Sequence, residues 1–299
     1  MENQAIVTIL TPTYNRSHQL AALYHSLCKQ DDKRFVWCVV DDGSTDNTEK
    51  TIEDLLQDSP FPIVFIKKEN GGKHTALNEG IKASDTPLIF IVDSDDTLTP
   101  DAVKTISEYF EIYGDSGDIC GFSFLRAFPD GKINGNQFAV NGWKATYIEA
   151  RVNAGDMSSD KAEVYKTECL REFPFPVYNG EKFLGEDLVW IRMARKYKTI
   201  HINKAIYIGD YQTDGLTQNR RAHNLSSPNG CVARAQEYLK NDICIKMRIK
   251  GYLQYLVYGM VAKQTPKKLI KNAPNKILCL ALIVPAMFIK LKWTRQLKK

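Results

Sequence analysis

The chain has 299 residues, 43% of them hydrophobic and 25% charged, the balance of a globular protein with one large domain and an appendage, and not of a disordered or polytopic one. Its net charge of +5 is unevenly divided: no acid follows Asp242, where 13 of the 40 Lys and Arg lie, while the residues up to Asp242 carry 27 basic side chains against 35 acids. The seven cysteines are scattered and never spaced as CxxC, which argues against a disulfide framework or a zinc ribbon and for a reducing compartment. MENQAIVTIL has no basic region leading into a long apolar stretch, so no signal peptide is expected and the cytoplasm is the expected location.

In chain order, AIVTIL, FVWCVV, PIVFI and PLIFIV read as strands buried on both faces. Helix candidates lie between and after them at His18 to Lys29, Thr48 to Leu56, Thr75 to Lys82 and Pro100 to Tyr113. This alternation predicts βαβ units and a parallel sheet. CGFSFLRAF continues as a strand, Asp130 to Trp143 reads as a loop, and Lys161 to Arg171 reads as a helix capped by Asp160. FLGEDLVWIRMARKY predicts a turn and a helix, and TIHINKAIYI a strand; from about Asn219 the pattern is helical. The expected domains are therefore 1–220 and a helical region 221–299, with the first divided at about 115.

Three unusual sequences fall at expected strand ends, where ligands of open α/β sheets bind: TPTYNR (Thr11 to Arg16), DDGSTDNT (Asp41 to Thr48) and DSDD (Asp93 to Asp96). Each alone reads equally as a turn or helix cap. No G-x-G-x-x-G follows the first strand, and GGKH lacks both the earlier Gly and the Ser or Thr of a phosphate loop. Clustered carboxylates suit a hard divalent cation, Mg²⁺ or Mn²⁺, held together with substrate phosphates.

TPTYNR, VVDDGSTDNT, NGGKHTALNEGI, IVDSDD and GEDLVWIRMARKY resemble, in order and spacing, the family 2 glycosyltransferases of the GT-A fold, over about residues 5 to 220. The resemblance implies an α/β fold with a Rossmann-like, mostly parallel central sheet flanked by helices, here with a basic helical C-terminal extension. It also implies metal-dependent, inverting transfer from a nucleoside diphosphate sugar, typically a UDP-sugar, to a hydroxyl, with about 1–115 as the nucleotide-binding half and about 116–220 as the acceptor-binding half. Carried over, Thr11, Pro12, Thr13 and Tyr14 would lie along the base, and Asp42 would accept from a base N–H. Asp93 would contact ribose or metal, Asp95 would bind the metal, and Asp96 would cap the turn. Lys73 and His74 would add positive charge near the diphosphate, with Asn78 on the same helix face. Glu186 or Asp187 would be the base for the acceptor hydroxyl; both stay open, with Glu186 favoured because it stands six positions before Arg192 of the W-x-R stretch. Asp214, Gly215 and Thr217 would contact donor phosphate or acceptor.

In the tail, the uninterrupted apolar stretch Ile277 to Ile289 is 13 residues long and contains Pro285, short of the roughly 20 residues that span a bilayer. With Lys276, Lys290, Lys292, Arg295, Lys298 and Lys299 at its flanks, it predicts a segment lying on an anionic membrane surface. The other reading is a helix packed on the domain. No nucleic-acid partner is expected, because the basic residues do not alternate with stacking aromatics. The expected whole is a transferase on the inner face of the cell membrane, building a surface glycan on a glycan or lipid-linked acceptor. A non-catalytic nucleotide-binding subunit and a sugar-phosphate nucleotidyltransferase are the alternatives, and the second lacks its Gly-rich loop. Composition does not fix the oligomeric state.

Overall fold

The structure, a computed structural model, describes residues 4–157, 159–210 and 219–296. β1 (Val7–Thr13), α1 (Ser17–Cys28), β2 (Phe35–Asp41), α2 (Thr48–Gln57), β3 (Ile63–Lys67), α3 (Lys73–Ala83) and β4 (Leu88–Ile91) form the expected alternation. After β5 (Thr97–Leu98) come α4 (Ala102–Tyr113), β6 (Ile119–Ala127), β7 (Trp143–Ala145) and a π-helix at Ile148–Asn153. β8 (Lys161–Lys166), α5 (Thr167–Glu172), α6 (Asp187–Met193) and β9 (Lys198–Ile208) complete the first part. α7 (Arg220–Ser226), α8 (Pro228–Glu237), α9 (Ile245–Val261), α10 (Pro266–Asn272) and α11 (Lys276–Gln296) follow.

The nine strands make one sheet in the order β3-β2-β1-β4-β8-β6-β9-β5, with β7 on β9. β3, β2, β1, β4, β6 and β9 run one way, and β8, β5 and β7 oppose them. One face carries Leu20, Leu23 and Leu27 of α1, Ile52 of α2 and Val103 and Ile106 of α4. The other carries Leu77 and Ile81 of α3, Leu170 of α5 and Leu188 to Met193 of α6. Helices on both faces are why the strands are apolar on both sides.

The segment expected as a helix from Lys161 to Arg171 is a strand followed by a short helix. Lys161, Glu163 and Tyr165 alternate with Ala162, Val164 and Lys166, and β8 enters antiparallel between β4 and β6, giving its N–H and C=O groups to both. The pairing partners lie about 40 and 75 residues upstream, so the local cap signal at Asp160 loses to a ladder made by distant chain. β1 also runs longer than expected: Thr11 to Thr13 belong to the strand and pair with Val39 to Asp41.

The helices beyond α7 share a third core, in which Tyr252, Tyr255 and Leu256 of α9 meet Leu269, Cys279 and Ala286. α11 is continuous through Pro285, so the expected 13-residue segment is part of a 21-residue helix. By length and composition, Lys276–Arg295 could cross a membrane, with a mean hydropathy of 1.8 and 11% of it buried. Cys279, Ala286 and Trp293 pack inward, whereas Ile277, Leu280, Val284, Met287, Phe288 and Leu291 are exposed. At about 100° per residue the exposed set forms one stripe along the helix.

Candidate active site

The loops after β1 and β2 are tied to each other before they reach any ligand. Asn15, in the left-handed region at φ 52°, donates its N–H to Ser44 Oγ at 2.8 Å and accepts from Thr45 N at 2.8 Å. Asp46 accepts from Ser17 N and Thr48 N. This locks the strand ends into one edge and leaves the Tyr14 ring 47% exposed on it. Thr11 Oγ1 faces inward and accepts from Trp37 Nε1 at 3.0 Å. Thr13 Oγ1 and Asp41 Oδ2, on paired residues, are buried with no protein partner among the described residues. Buried polar atoms are nearly always satisfied, so this pair marks a place for a ligand or water, and sequence reasoning had passed over Asp41.

Asp42 is turned inward. One carboxylate oxygen takes Lys68 Nζ at 2.7 Å and Gly71 N at 2.9 Å, and the other takes Gly72 N at 2.7 Å. These bonds shape the turn that starts α3. Gly72 there has φ 94°, and a Cβ on it would lie 2.0 Å from the Lys182 carbonyl oxygen, so only glycine allows the turn to meet the 181–186 segment so closely. That segment is also anchored on its far side, where Glu181 accepts from Asn229 N and Gly230 N at the start of α8, both at 2.8 Å.

The turn places Lys73 between two carboxylates from distant sequence: its Nζ lies 2.5 Å from Asp93 Oδ1 and 2.7 Å from Glu186 Oε1. Burial works against the charge on Lys73, but Asp93 and then Glu186 outweigh it and its pKa is raised. Burial likewise opposes ionisation of Asp93, and Lys73 followed by Arg126 reverses this, so its pKa is lowered. At Asp95 burial first, then the Asp93 charge, raises the pKa against the smaller opposing effects of Arg16 and Lys73. The two carboxylates of this turn, Asp93 and Asp95, are oxygen donors of the kind that hold a divalent cation completed by substrate phosphates and water. Among the described residues no closed cage of three or more His, Cys, Asp or Glu forms.

His74 is 2% exposed and burial lowers its pKa, so it sits in the wall behind Lys73. Asn78 also serves the wall, its amide donating to Phe175 O and accepting from Phe175 N. Asp96 is 6% exposed and closes the turn from beneath: Arg126 Nη2 lies 2.5 Å from its Oδ2 and the Tyr207 hydroxyl 2.6 Å. The same hydroxyl accepts from Asp93 N at 3.0 Å, and the Arg126 guanidinium stacks 3.8 Å over the Tyr207 ring. Arg126 and Tyr207, on β6 and β9, thus hold the acid turn in shape, a role no local motif announces.

Glu186 and Asp187 separate in the structure. Glu186 points at Lys73 with a 30% exposed side chain. Asp187 points to α8, where Arg234 Nε lies 2.7 and 2.8 Å from its two oxygens and the Tyr238 hydroxyl donates at 2.8 Å. The helices beyond residue 220 therefore support the site directly. The positions Asp214, Gly215 and Thr217 lie outside the described residues.

A sequence profile described as Glycosyl transferase family 2 matches residues 8–156. An uncharacterised glycosyltransferase of Nostoc is 30% identical over 261 residues, covering 85% of this chain and 77% of that one. The GalNAc(5)-diNAcBac-PP-undecaprenol beta-1,3-glucosyltransferase of Campylobacter jejuni is 22% identical over 95% of both chains. Among solved structures, Staphylococcus aureus TarS 1-349 in complex with UDP-GlcNAc superposes with a TM-score of 0.68 at 17% identity, covering 97% of this chain and 89% of that one. A mannosyltransferase from Pyrobaculum calidifontis with GDP-Man and Mn²⁺ gives 0.58 at 15% identity. These two likenesses are of fold.

Proposed function

The chain is a member of glycosyl transferase family 2, and from that premise we propose that it transfers a sugar from a UDP-sugar, with inversion, to a hydroxyl of a glycan or lipid-linked acceptor. The observation that carries this is Lys73, whose ammonium joins Asp93 of the acid turn to Glu186 of the 181–186 segment. Donor side and acceptor side meet at that one charge. The catalytic unit is residues 1–220, supported from α8.

On the donor side, Tyr14 offers its exposed ring as a platform for the base, while the unpartnered Thr13 Oγ1 and Asp41 Oδ2 supply polar atoms at the same edge. Asp42 acts by shaping the Gly71–Gly72 turn. Asp95 and Asp93 would hold Mg²⁺ or Mn²⁺, which when bound offsets negative charge on the diphosphate as a Lewis acid. Lys73 adds a second, fixed positive charge beside the leaving oxygen.

On the acceptor side, Glu186 is the base. Its carboxylate takes the proton of the acceptor hydroxyl as that oxygen bonds to the anomeric carbon, and the bond from that carbon to the β-phosphate oxygen breaks on the opposite face. The nucleoside diphosphate leaves, and no covalent intermediate with the protein is required. Asp187, held by Arg234 and Tyr238, positions the start of α6 and hence Glu186.

The tail carries the chain to a membrane. α11 has one face packed on α9 and the other an apolar stripe, with Lys276, Lys290, Lys292 and Arg295 toward its ends and no acid. A helix fastened to its own domain along its length is suited to lie in the interface of an anionic membrane and not to cross it alone. On this reading the enzyme works peripherally at the inner face of the cell membrane.

A panel of UDP- and GDP-sugars with Mn²⁺ or Mg²⁺, read as nucleotide release, tests the reading. Release from at least one donor, lost on chelation and in Glu186→Gln, is expected. Binding of UDP without release from any donor would identify a non-catalytic nucleotide-binding subunit instead.

A further inference from the structure

β8 carries a carboxylate that the fold itself leaves almost unpartnered. Glu163 stands between the buried Ala162 and Val164 and is itself half-buried. Two residues from Tyr165, it shares that side chain's face of the sheet, the one α3 and α6 cover. Among the described residues it enters no salt bridge, and the one hydrogen bond it accepts comes from the Tyr165 hydroxyl, 3.1 Å from Oε2. The cations near it are served elsewhere: Lys161 Nζ by Asn136 O at 2.7 Å, Ser159 Oγ and Asp156, and Arg151 by Ser159 O and Asp156. A carboxylate drawn back from water costs free energy unless polar groups complete it.

Its neighbours share the deficit. Ser123, opposite Glu163 in the β6–β8 ladder, has a buried Oγ, and Arg151, in the π-helix, has buried Nε and Nη1; none of the three has a hydrogen-bond partner among the described residues. Buried polar atoms are nearly always satisfied. A carboxylate and three donors in one neighbourhood thus mark a place for a group that both donates and accepts, as a sugar hydroxyl does.

The place lies at the candidate active site. The β4–β8 ladder ends at Phe90–Val164, while β8 continues along β6 to Leu125–Lys161. Glu163 is therefore the first residue of β8 beyond the point where β4 parts from it, and Asp93 follows on the β4 side. At roughly 3.3 Å per residue, Asp93 stands about 7 Å further along than Glu163, a distance that one pyranose ring spans. On the helix side, the Tyr165 ring centroid is 4.5 Å from that of Trp190, and Trp190 is one helical turn beyond Glu186. Tyr147 feels the charges of both Glu163 and Asp187.

We propose that Glu163 accepts a hydrogen bond from a hydroxyl of the sugar being transferred and so selects the donor: a neutral UDP-sugar with a free hydroxyl at that point, and not a uronate, whose charge it repels. This rests on the transfer reaction proposed above and adds the residue that reads the sugar.

Calorimetry in the presence of Mn²⁺ reads this without turnover, on UDP and on UDP-glucose, UDP-galactose, UDP-GlcNAc, UDP-GalNAc and UDP-glucuronate. In the wild-type chain at least one neutral donor should bind about tenfold or more tightly than UDP-glucuronate. In Glu163→Gln, which keeps the shape of the side chain, that gap should close to within about threefold while UDP itself binds as before. Tyr165→Phe, which keeps the ring on Trp190, should narrow the gap partway. The inference is overturned if the wild-type chain does not discriminate among the sugars or if the discrimination survives Glu163→Gln. It is also overturned if UDP loses affinity in that variant in step with the sugars, which would make Glu163 part of the fold alone. A preference lost in Glu163→Gln, with no nucleotide released from the preferred donor by the wild-type chain, would uphold the sugar reading and count against the transfer reaction.

Discussion

At the carboxyl edge of the sheet the functional acids are met by cations from distant chain, Asp93 and Glu186 by Lys73, Asp96 by Arg126, Asp187 by Arg234, whereas α9 to α11 carry cations and no acid at all. The first region resolves its charges internally and so fixes the shape of its turns. The cations of the second form no salt bridge with an acid among the described residues, which leaves them open to an anionic partner outside the chain. Pre-organised electrostatics belong to chemistry and unbalanced charge to recruitment.

The sharpest way to break this contrast is to alter one member of the paired region. Glu186→Gln should lower the transfer rate by roughly 10²- to 10⁴-fold, the usual worth of a general base, while UDP binding by calorimetry changes little. Asp187→Asn should cost less in rate and more in thermal stability, because it frees Arg234 and Tyr238; the opposite order of rate losses would make Asp187 the base. Neutralising Lys290, Lys292 and Arg295 together should weaken sedimentation with anionic vesicles on the order of a hundredfold, at about 1 kcal/mol per basic residue, without altering donor turnover. Equal binding of this variant and the wild-type chain would remove the membrane from the account.

A fourth prediction concerns a histidine that belongs to neither region. His201 is fully buried, donates through Nε2 to Ala145 O, and burial pushes its pKa down to about 4. The unfolded chain takes up this proton near pH 6.5 and the folded chain does not, so the stabilisation is complete above pH 6.5 and is lost as pH falls toward 4. The loss should reach at most roughly 3 kcal/mol. In His201→Gln the denaturation midpoint should vary less with pH across that window; an unchanged slope would contradict the assignment. Tyr207→Phe is expected to have the smallest effect, about tenfold in kcat, by releasing Asp93 N and Asp96 while the ring still stacks under Arg126. Its apparent affinity for the metal should fall as well, which a purely packing role would not produce.

Legibility in the sequence follows how local each cause is. The first four strands are plain because a strand buried on both faces must be an apolar run, whatever it pairs with. β8 is not, because KAEVYK carries three charged side chains and is recruited by β4 and β6 from far upstream. Pro285 suggests a break, yet α11 runs through it with neighbours packed along one side. At the site, Asp93, Lys73 and Glu186 stand out because acid and cation cluster at turn positions. Arg126, Tyr207, Arg234 and Tyr238 sit in ordinary strand and helix sequence, and their relation to the acids exists only once β6, β9 and α8 are in place.

Gly72 ties these observations to dimensions. With a hydrogen atom where every other residue carries carbon, the donor-side turn and the acceptor-side segment touch backbone to backbone. The width of the jaw in which we propose that two substrates meet is thus set by a residue that carries no side chain to hold either, as the thinnest shim fixes the opening of a vice. A thicker shim would leave both faces intact and hold them too far apart to grip.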